Sequence, residues 1–313
     1  MSSLNPGKRI EGPLVPVFSA FDADDRLDIE STCKWVDWLI RKGIKLFWTT
    51  QGTTHFMCLS DAEIRKLTKA LAKVISGRGI FITSARWDWS TRQCREFVDY
   101  AAACGADIVK LQIDWRWNPS DDQVFEHYRK IAESSPLPLF AYSSPRGISI
   151  ELLKRIIIEL PQFVGMKNDT DDFIGHEEYL RVIKRYGDLS KFTAMTGGGW
   201  ESFLFGYNFG ARAYGDMVAW FAPNQSIAFH KFIIGREREQ AVALLQDWME
   251  PVMEQLKRLN SAGSTWAWGH TVLQLMGFFK SNRMRFPLKT LNPDQVKTVR
   301  AFLAEKKVHP LVF

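Results

Sequence analysis

Eight times in succession a short apolar run is followed by a segment of helical length and helical periodicity, and this repetition limits the fold more than any single residue does. The first run, Leu14 to Phe18, precedes a helix predicted from about Asp28 to Arg41, with Asp28 as its cap and Gly43 as its stop. "IKLFWTT" leads to a helix opening at Ser60, where "SDAE" is a capping box ahead of a Leu/Leu/Val periodicity. "GIFITSA" precedes "STRQCREFVDYAAACG", and "DIVKLQI" precedes "SDDQVFEHYRKIAE". "LPLFAYSS", "FVGMKN" and "KFTAMTG" precede "SIELLKRIIIEL", "HEEYLRVIKRYG" and "WESFLFGYNFG", and "ARAYGDM" closes the count.

Strands joined by helix-length crossovers run parallel, and eight of them point to a closed (β/α)8 TIM barrel of the α/β class. The competing open doubly wound sheet is weakened by the first strand-helix turn, "FDADDR", which carries no G-x-G-x-x-G phosphate fingerprint. No Pro/Gly/Ser-rich or charge-run linker interrupts the chain, so one barrel is expected over residues 11–222, after an N-terminal segment, 1–10, of disordered character. Beyond Pro223 the alternation stops, and "REREQAVALLQDWMEPVMEQLKRL", "WAWGHTVLQLMGFF" and "DQVKTVRAFLAEKK" predict a C-terminal helical extension over 223–313, a segment suited to capping and to subunit contact.

The formal charge of +6 is spread among acidic neighbours, as in "GREREQ", which argues against nucleic acid and leaves a mildly anionic small substrate compatible. Cys33, Cys58, Cys94 and Cys104 lack CxxC spacing and read as reduced packing residues. The six histidines show no metal-ligand spacing with a carboxylate, so no catalytic metal is expected; His55 is the one on a catalytic-face loop, where a lone histidine reads as structural. No export signal or membrane-length apolar run is legible, and the expected compartment is cytoplasmic.

A barrel places its chemistry at the C-terminal ends of the strands and on the loops that follow. Lys167 ends strand six in "FVGMKN", and Tyr142 ends strand five in "FAYSSP". Neighbouring strands run about 4.8 Å apart, so amine and phenol can share a site. A partly desolvated lysine there is a nucleophile, because loss of water favours the neutral amine. Strand two ends in "TTQGTTHF", where backbone N–H groups around Gly52, Thr53 and Thr54 can cradle a carboxylate. "RWDW" and "DWRW" add indoles and the cations Arg86 and Arg116 to the rim after strands three and four. Gly197, in "TGGGW", and Gly215, at the end of strand eight, are expected to let backbone approach the ligand.

The order of these features resembles the dihydrodipicolinate synthase / N-acetylneuraminate lyase family of Schiff-base aldolases over nearly the whole chain, from "GPLVPVFSAFD" to "MRFPLKTLNPDQ". Its opening Pro-containing strand, G-T-T-G-E turn, Y-N-x-P strand end, G-x-K strand end and late Gly-rich turn look like "VPVFSAFD", "QGTTHF", "YSSP", "GMKN" and "TGGG" here. The resemblance implies that Lys167 forms the imine and that Tyr142 hydrogen-bonds substrate and moves protons. It also implies a homo-oligomer, tetramer or dimer, and no cofactor beyond the imine.

Two departures stand out. Dihydrodipicolinate synthases carry P-Y-Y after strand four, where this chain has Asp114, Trp115 and Arg116; Arg116 stays protonated, so it binds anions without shuttling protons. Counting without gaps puts the family's Thr-Thr pair on Gly52 and Thr53, whereas a shift of one puts it on Thr53 and Thr54. The resulting expectation is a class I aldolase or lyase acting on pyruvate or a 4-hydroxy-2-oxo acid with an aldehyde partner. The alternatives are a dihydrodipicolinate synthase proper, a dehydratase using the same imine, and a catalytically silent barrel that only binds a 2-oxo acid.

Overall fold

The computed structural model describes residues 10–113, 118–142, 148–168, 173–188, 191–197, 199–259 and 266–308, with side chains described in all of these except 173–176. Eight parallel strands close into a barrel in sequential order: β1 (Gly12–Pro16), β2 (Leu46–Trp48), β3 (Ile80–Ser84), β4 (Ile108–Leu111), β5 (Leu139–Tyr142), β6 (Phe163–Asn168), β7 (Thr193–Thr196) and β8 (Ala211–Gly215). Between them run α1 (Ile29–Arg41), α2 (Asp61–Ile75), α3 (Thr91–Cys104), α4 (Asp121–Ala132), α5 (Ile150–Glu159), α6 (Phe173–Tyr186) and α7 (Gly199–Gly206). The helix α8 (Pro223–Ile234) packs on β1 and completes the eighth unit. The helices α9 (Arg238–Leu244), α10 (Glu250–Arg258), α11 (Ala267–Leu275) and α12 (Pro293–Glu305) form the C-terminal extension.

The helix starts follow local chemistry. Ser60, Ser90 and Ser120 each accept the backbone N–H three residues on, and Glu63, Gln93 and Gln123 return the bond to the cap's own N–H. Asp28 caps α1 as the sequence predicts, whereas α6 begins at Phe173, ahead of the "HEEYL" start read from the sequence.

Every strand is buried on both faces, and strand alternation divides the core in two. Outward residues such as Val15, Phe47, Val109 and Met166 meet the helices. Inward residues Ile10, Leu14, Leu46, Ile80, Ile82, Ile108, Phe140 and Met195 fill the barrel's lower half with a dry apolar plug. Ile10 belongs to this plug at 3 % exposure, so the described end of the N-terminal segment is packed; residues 1–9 lie outside the described residues.

The C-terminal extension is tied to the barrel mouth. Arg285, over the ring of Phe21, donates to the carbonyls of Asp25 and Cys58 and forks onto Glu63 at 2.9 and 3.0 Å. Burial alone would raise the Glu63 carboxyl, but hydrogen bonds from Arg285 and Ser60 hold it below its ordinary value. Gly269 lets α11 dock, because a Cβ there would stand 2.6 Å from Cζ of Phe18. Between α9 and α10 the helix widens into a π turn, Leu245–Met249, just before Pro251, which has no N–H to offer the Asp247 carbonyl. Among the described residues no helix is long and apolar enough to cross a membrane.

Candidate active site

At the C-terminal ends of the strands the barrel opens into a cavity of about 960 Å³. Its floor is set by β5 and β6, where Tyr142 and Lys167 are direct partners in register. Gly165 explains the local sequence: a Cβ there would lie 2.4 Å from Cε2 of Phe140 and 2.7 Å from the Thr193 carbonyl. The Phe140 ring takes that space, and Lys167, two residues on, emerges above the apolar plug. Lys167 is only 7 % exposed, and its Nζ stands 4.7 Å from the Tyr142 ring centroid and 5.3 Å from that of Trp48. Trp48, on β2, meets Tyr142 edge to face at 6.4 Å. The amine and phenol expected from the sequence are thus brought together at one surface of the cavity.

The turn after β2 lines the cavity with Thr50, Gln51, Gly52 and Thr53. Thr54 is fully buried beneath it, where its Oγ1 accepts the Thr50 N–H at 2.7 Å and its carbonyl accepts the Ser19 hydroxyl at 2.5 Å. The N–H groups of Thr53 and Thr54 donate to Thr50 Oγ1 at 2.9 and 3.4 Å. His55 turns away from the cavity into Phe18, Phe21 and His270, and burial holds its imidazole down at about 4. Gly197 and Gly215 both line the cavity.

Trp87 reaches the cavity wall, but Arg86 does not contribute a free charge: its guanidinium forks onto Asp88 at 2.8 and 2.7 Å. Arg116 and the rest of "DWRW" lie outside the described residues.

Several lining residues escaped the sequence reading. Lys110 and Gln112 project inward from β4 and just beyond it, and Lys110 is 1 % exposed. A signal for them existed in "DIVKLQI", because a lysine inside a strand buried on both faces is an anomaly. The outer wall comes from the C-terminal extension through Glu250, Glu254, Lys257 and Trp266, with Glu201 of α7 opposite. Burial, then the neighbouring Glu201, raises the Glu250 carboxyl. No sequence pattern indicated that α10 would line the mouth. Among the described residues no group of three or more His, Cys, Asp or Glu is placed to hold a metal ion.

Fold and cavity together define a class: a (β/α)8-barrel protein whose C-terminal mouth is centred on a buried lysine paired with a tyrosine. The sequence identifies the group within that class. The chain belongs to the Dihydrodipicolinate synthetase family, whose profile matches residues 9–306. It is 23 % identical over 301 residues to an uncharacterized DapA-like lyase of Thermococcus kodakarensis, covering 95 % of this chain and 99 % of the relative. It is 26 % identical over 290 residues to the 4-hydroxy-tetrahydrodipicolinate synthase of Rhizobium meliloti, covering 91 % and 94 % of the two chains. Among solved structures, the dihydrodipicolinate synthase of Bacteroides thetaiotaomicron superposes with a TM-score of 0.86 at 20 % identity, covering 96 % of this chain and 99 % of that one. YagE, a prophage protein of the same family from E. coli K12 determined in complex with pyruvate, gives 0.84 at 19 % identity over 96 % and 99 %.

Proposed function

We propose that this protein is a class I aldolase or lyase that forms an imine between Lys167 and pyruvate, or a 4-hydroxy-2-oxo acid that cleaves to pyruvate and an aldehyde. The observation that carries this reading is the register pairing of Lys167, 7 % exposed, with Tyr142 at the cavity floor. Family membership supports it, as does the pyruvate complex of a protein with this fold.

In this mechanism the neutral Lys167 amine adds to the C2 carbonyl, and the carbonyl electron pair moves onto oxygen. Tyr142 supplies the one net proton required; water leaves, and a protonated imine remains. During cleavage the C3–C4 bonding pair flows into the imine to give an enamine, while the phenolate of Tyr142 takes the 4-hydroxyl proton of the departing aldehyde. Protonation at C3 and hydrolysis then release pyruvate and restore the amine. The imine serves as the electron sink, without a further cofactor.

The substrate carboxylate is assigned to the turn at Gly52 and Thr53, above Thr54, where an anion would compete with Thr50 Oγ1 for the backbone amides. Gly197 and Gly215 leave room for the substrate backbone, and Arg116 is proposed for the far end. The described rim carries Glu201, Glu250 and Glu254 against Lys257, and the charge of Arg86 is already taken by Asp88. Such a lining suits a bulky, hydroxyl-bearing aldehyde, and Arg116 at the far end would serve an anionic one.

Exchange of the pyruvate methyl protons in D2O, followed by proton NMR, tests the enamine without any aldehyde. The wild type should exchange them, and Lys167→Met and Tyr142→Phe should not; a wild type that binds pyruvate without exchange would be a silent barrel. An aldehyde panel with and without aspartate semialdehyde then separates a lyase from a synthase.

A further inference from the structure

The turn after β2 contains a hydroxyl whose donor is not used within the protein. Thr50, half-buried, lines the cavity just beyond the end of β2. Its Oγ1 accepts the Thr53 N–H at 2.9 Å and the Thr54 N–H at 3.4 Å, while its own N–H donates to Thr54 Oγ1 at 2.7 Å. Thr54 is fully buried, and the Ser19 hydroxyl on its carbonyl fixes it from below. The turn is thus tied together through the two threonines.

A hydroxyl has two acceptor positions and one donor. Backbone N–H groups occupy both acceptor positions of Thr50 Oγ1, and among the described residues no acceptor stands within hydrogen-bond distance of its proton. That proton is left for the cavity which the residue lines. Two N–H bonds onto the oxygen polarise the O–H and make it a stronger donor. The space over the turn is open as well, because a Cβ on Gly52 would meet nothing within 4 Å.

An anion can engage this turn in two ways. Taking the Thr53 and Thr54 amides directly breaks both bonds to Thr50 Oγ1, whereas accepting the Thr50 proton breaks neither and makes a charge-assisted bond. The second route leaves the turn as it stands. We infer that Thr50 is a specificity-determining residue: its hydroxyl, held and polarised by the Thr53 and Thr54 amides, donates to the carboxylate of the 2-oxo acid. This rests on the imine reading given above, which brings that carboxylate to the turn. The preference for a 2-oxo acid over a ketone without a carboxylate is then carried by a side chain, and substitution can remove it.

The test is the pyruvate concentration that gives half-maximal trapping of the full-length protein with cyanoborohydride, read by intact mass, with hydroxyacetone as the ketone that lacks a carboxylate. Thr50→Val, of nearly the same shape, and Thr50→Ala should each raise that concentration about tenfold or more. Both should leave hydroxyacetone trapping, the rate at saturating pyruvate and the melting temperature near wild type. Thr50→Ser, which keeps the hydroxyl, should bind pyruvate as the wild type does. Direct use of the amides predicts the opposite sign, since loss of the hydroxyl would release them and tighten pyruvate. Pyruvate binding unchanged or tightened in the Val and Ala variants would overturn the proposal. So would a Ser variant as weak as those two, or an equal loss for hydroxyacetone. A wild type that forms no pyruvate adduct would instead overturn the imine reading itself, so the two failures are distinguishable.

Discussion

The lower and upper halves of the same barrel follow opposite rules. Below, Leu14, Leu46, Ile80, Ile82, Ile108 and Phe140 fill the interior with aliphatic and aromatic side chains, and position matters through volume. One layer higher on the same strands, Lys110, Tyr142 and Lys167 replace them with groups that are expensive to bury. Two steps along β5 and β6 separate Phe140 and Gly165 from Tyr142 and Lys167, and the register keeps each pair side by side. The apolar plug below supplies stability and so permits a polar layer above it that a marginal fold would not tolerate.

If that division holds, mutations in the two halves should have separable effects. Lys167→Met should lower turnover by at least about a thousandfold, yet leave the melting temperature unchanged or raised, because a buried amine gives way to an apolar chain of similar volume. Tyr142→Phe should lower it by about a hundredfold or more, the usual range for a lost acid-base group, again with little change on thermal melting. Below the dividing layer the pattern should invert. Leu14→Ala should cost about 2–5 kcal/mol in denaturant titrations, while the folded fraction still traps pyruvate at the wild-type rate. A Leu14→Ala protein that was stable but inactive would break the comparison.

The smallest effect concerns the buried histidines at the mouth. Burial holds His55 at about 4, and His270 well below its ordinary value through burial and the neighbouring His55. The unfolded chain takes up protons at these positions near pH 6.5. Stability contributed by the neutral rings is therefore present above that pH and lost as pH falls from about 6.5 toward 4. Asp216 opposes the trend, since burial pushes its carboxyl up to about 6 and favours the fold as pH falls through that value toward the ordinary range. Replacing His55 by Asn, which tolerates the left-handed backbone at φ 59°, should flatten the acid loss by about 1–2 kcal/mol at pH 5 in stability curves.

Much of this organisation is written in local pattern. The eight alternations, the Ser-capped helix starts and the "GMKN" and "AYSS" strand ends depend on nearest neighbours, which a sequence displays directly. Strand register then follows from closing the barrel, and it pairs Lys167 with Tyr142. What escaped depends on contacts distant in sequence. Lys110 is an odd cation in an apolar run whose partner rings appear only when closure turns it toward Tyr142, and the rim carboxylates of α10 reach the mouth through packing that nearest neighbours do not encode. Thr53 and Thr54 look equivalent as letters, yet the fold exposes one to the cavity and buries the other.

The proposed role of the polar upper layer is imine formation on Lys167. It is tested most directly by incubating the protein with pyruvate and borohydride and mapping the modified peptide by mass spectrometry. A reduced pyruvyl adduct on Lys167 that disappears in Lys167→Ala is the expected result; no adduct, or one that persists in that variant, would overturn imine formation at this residue.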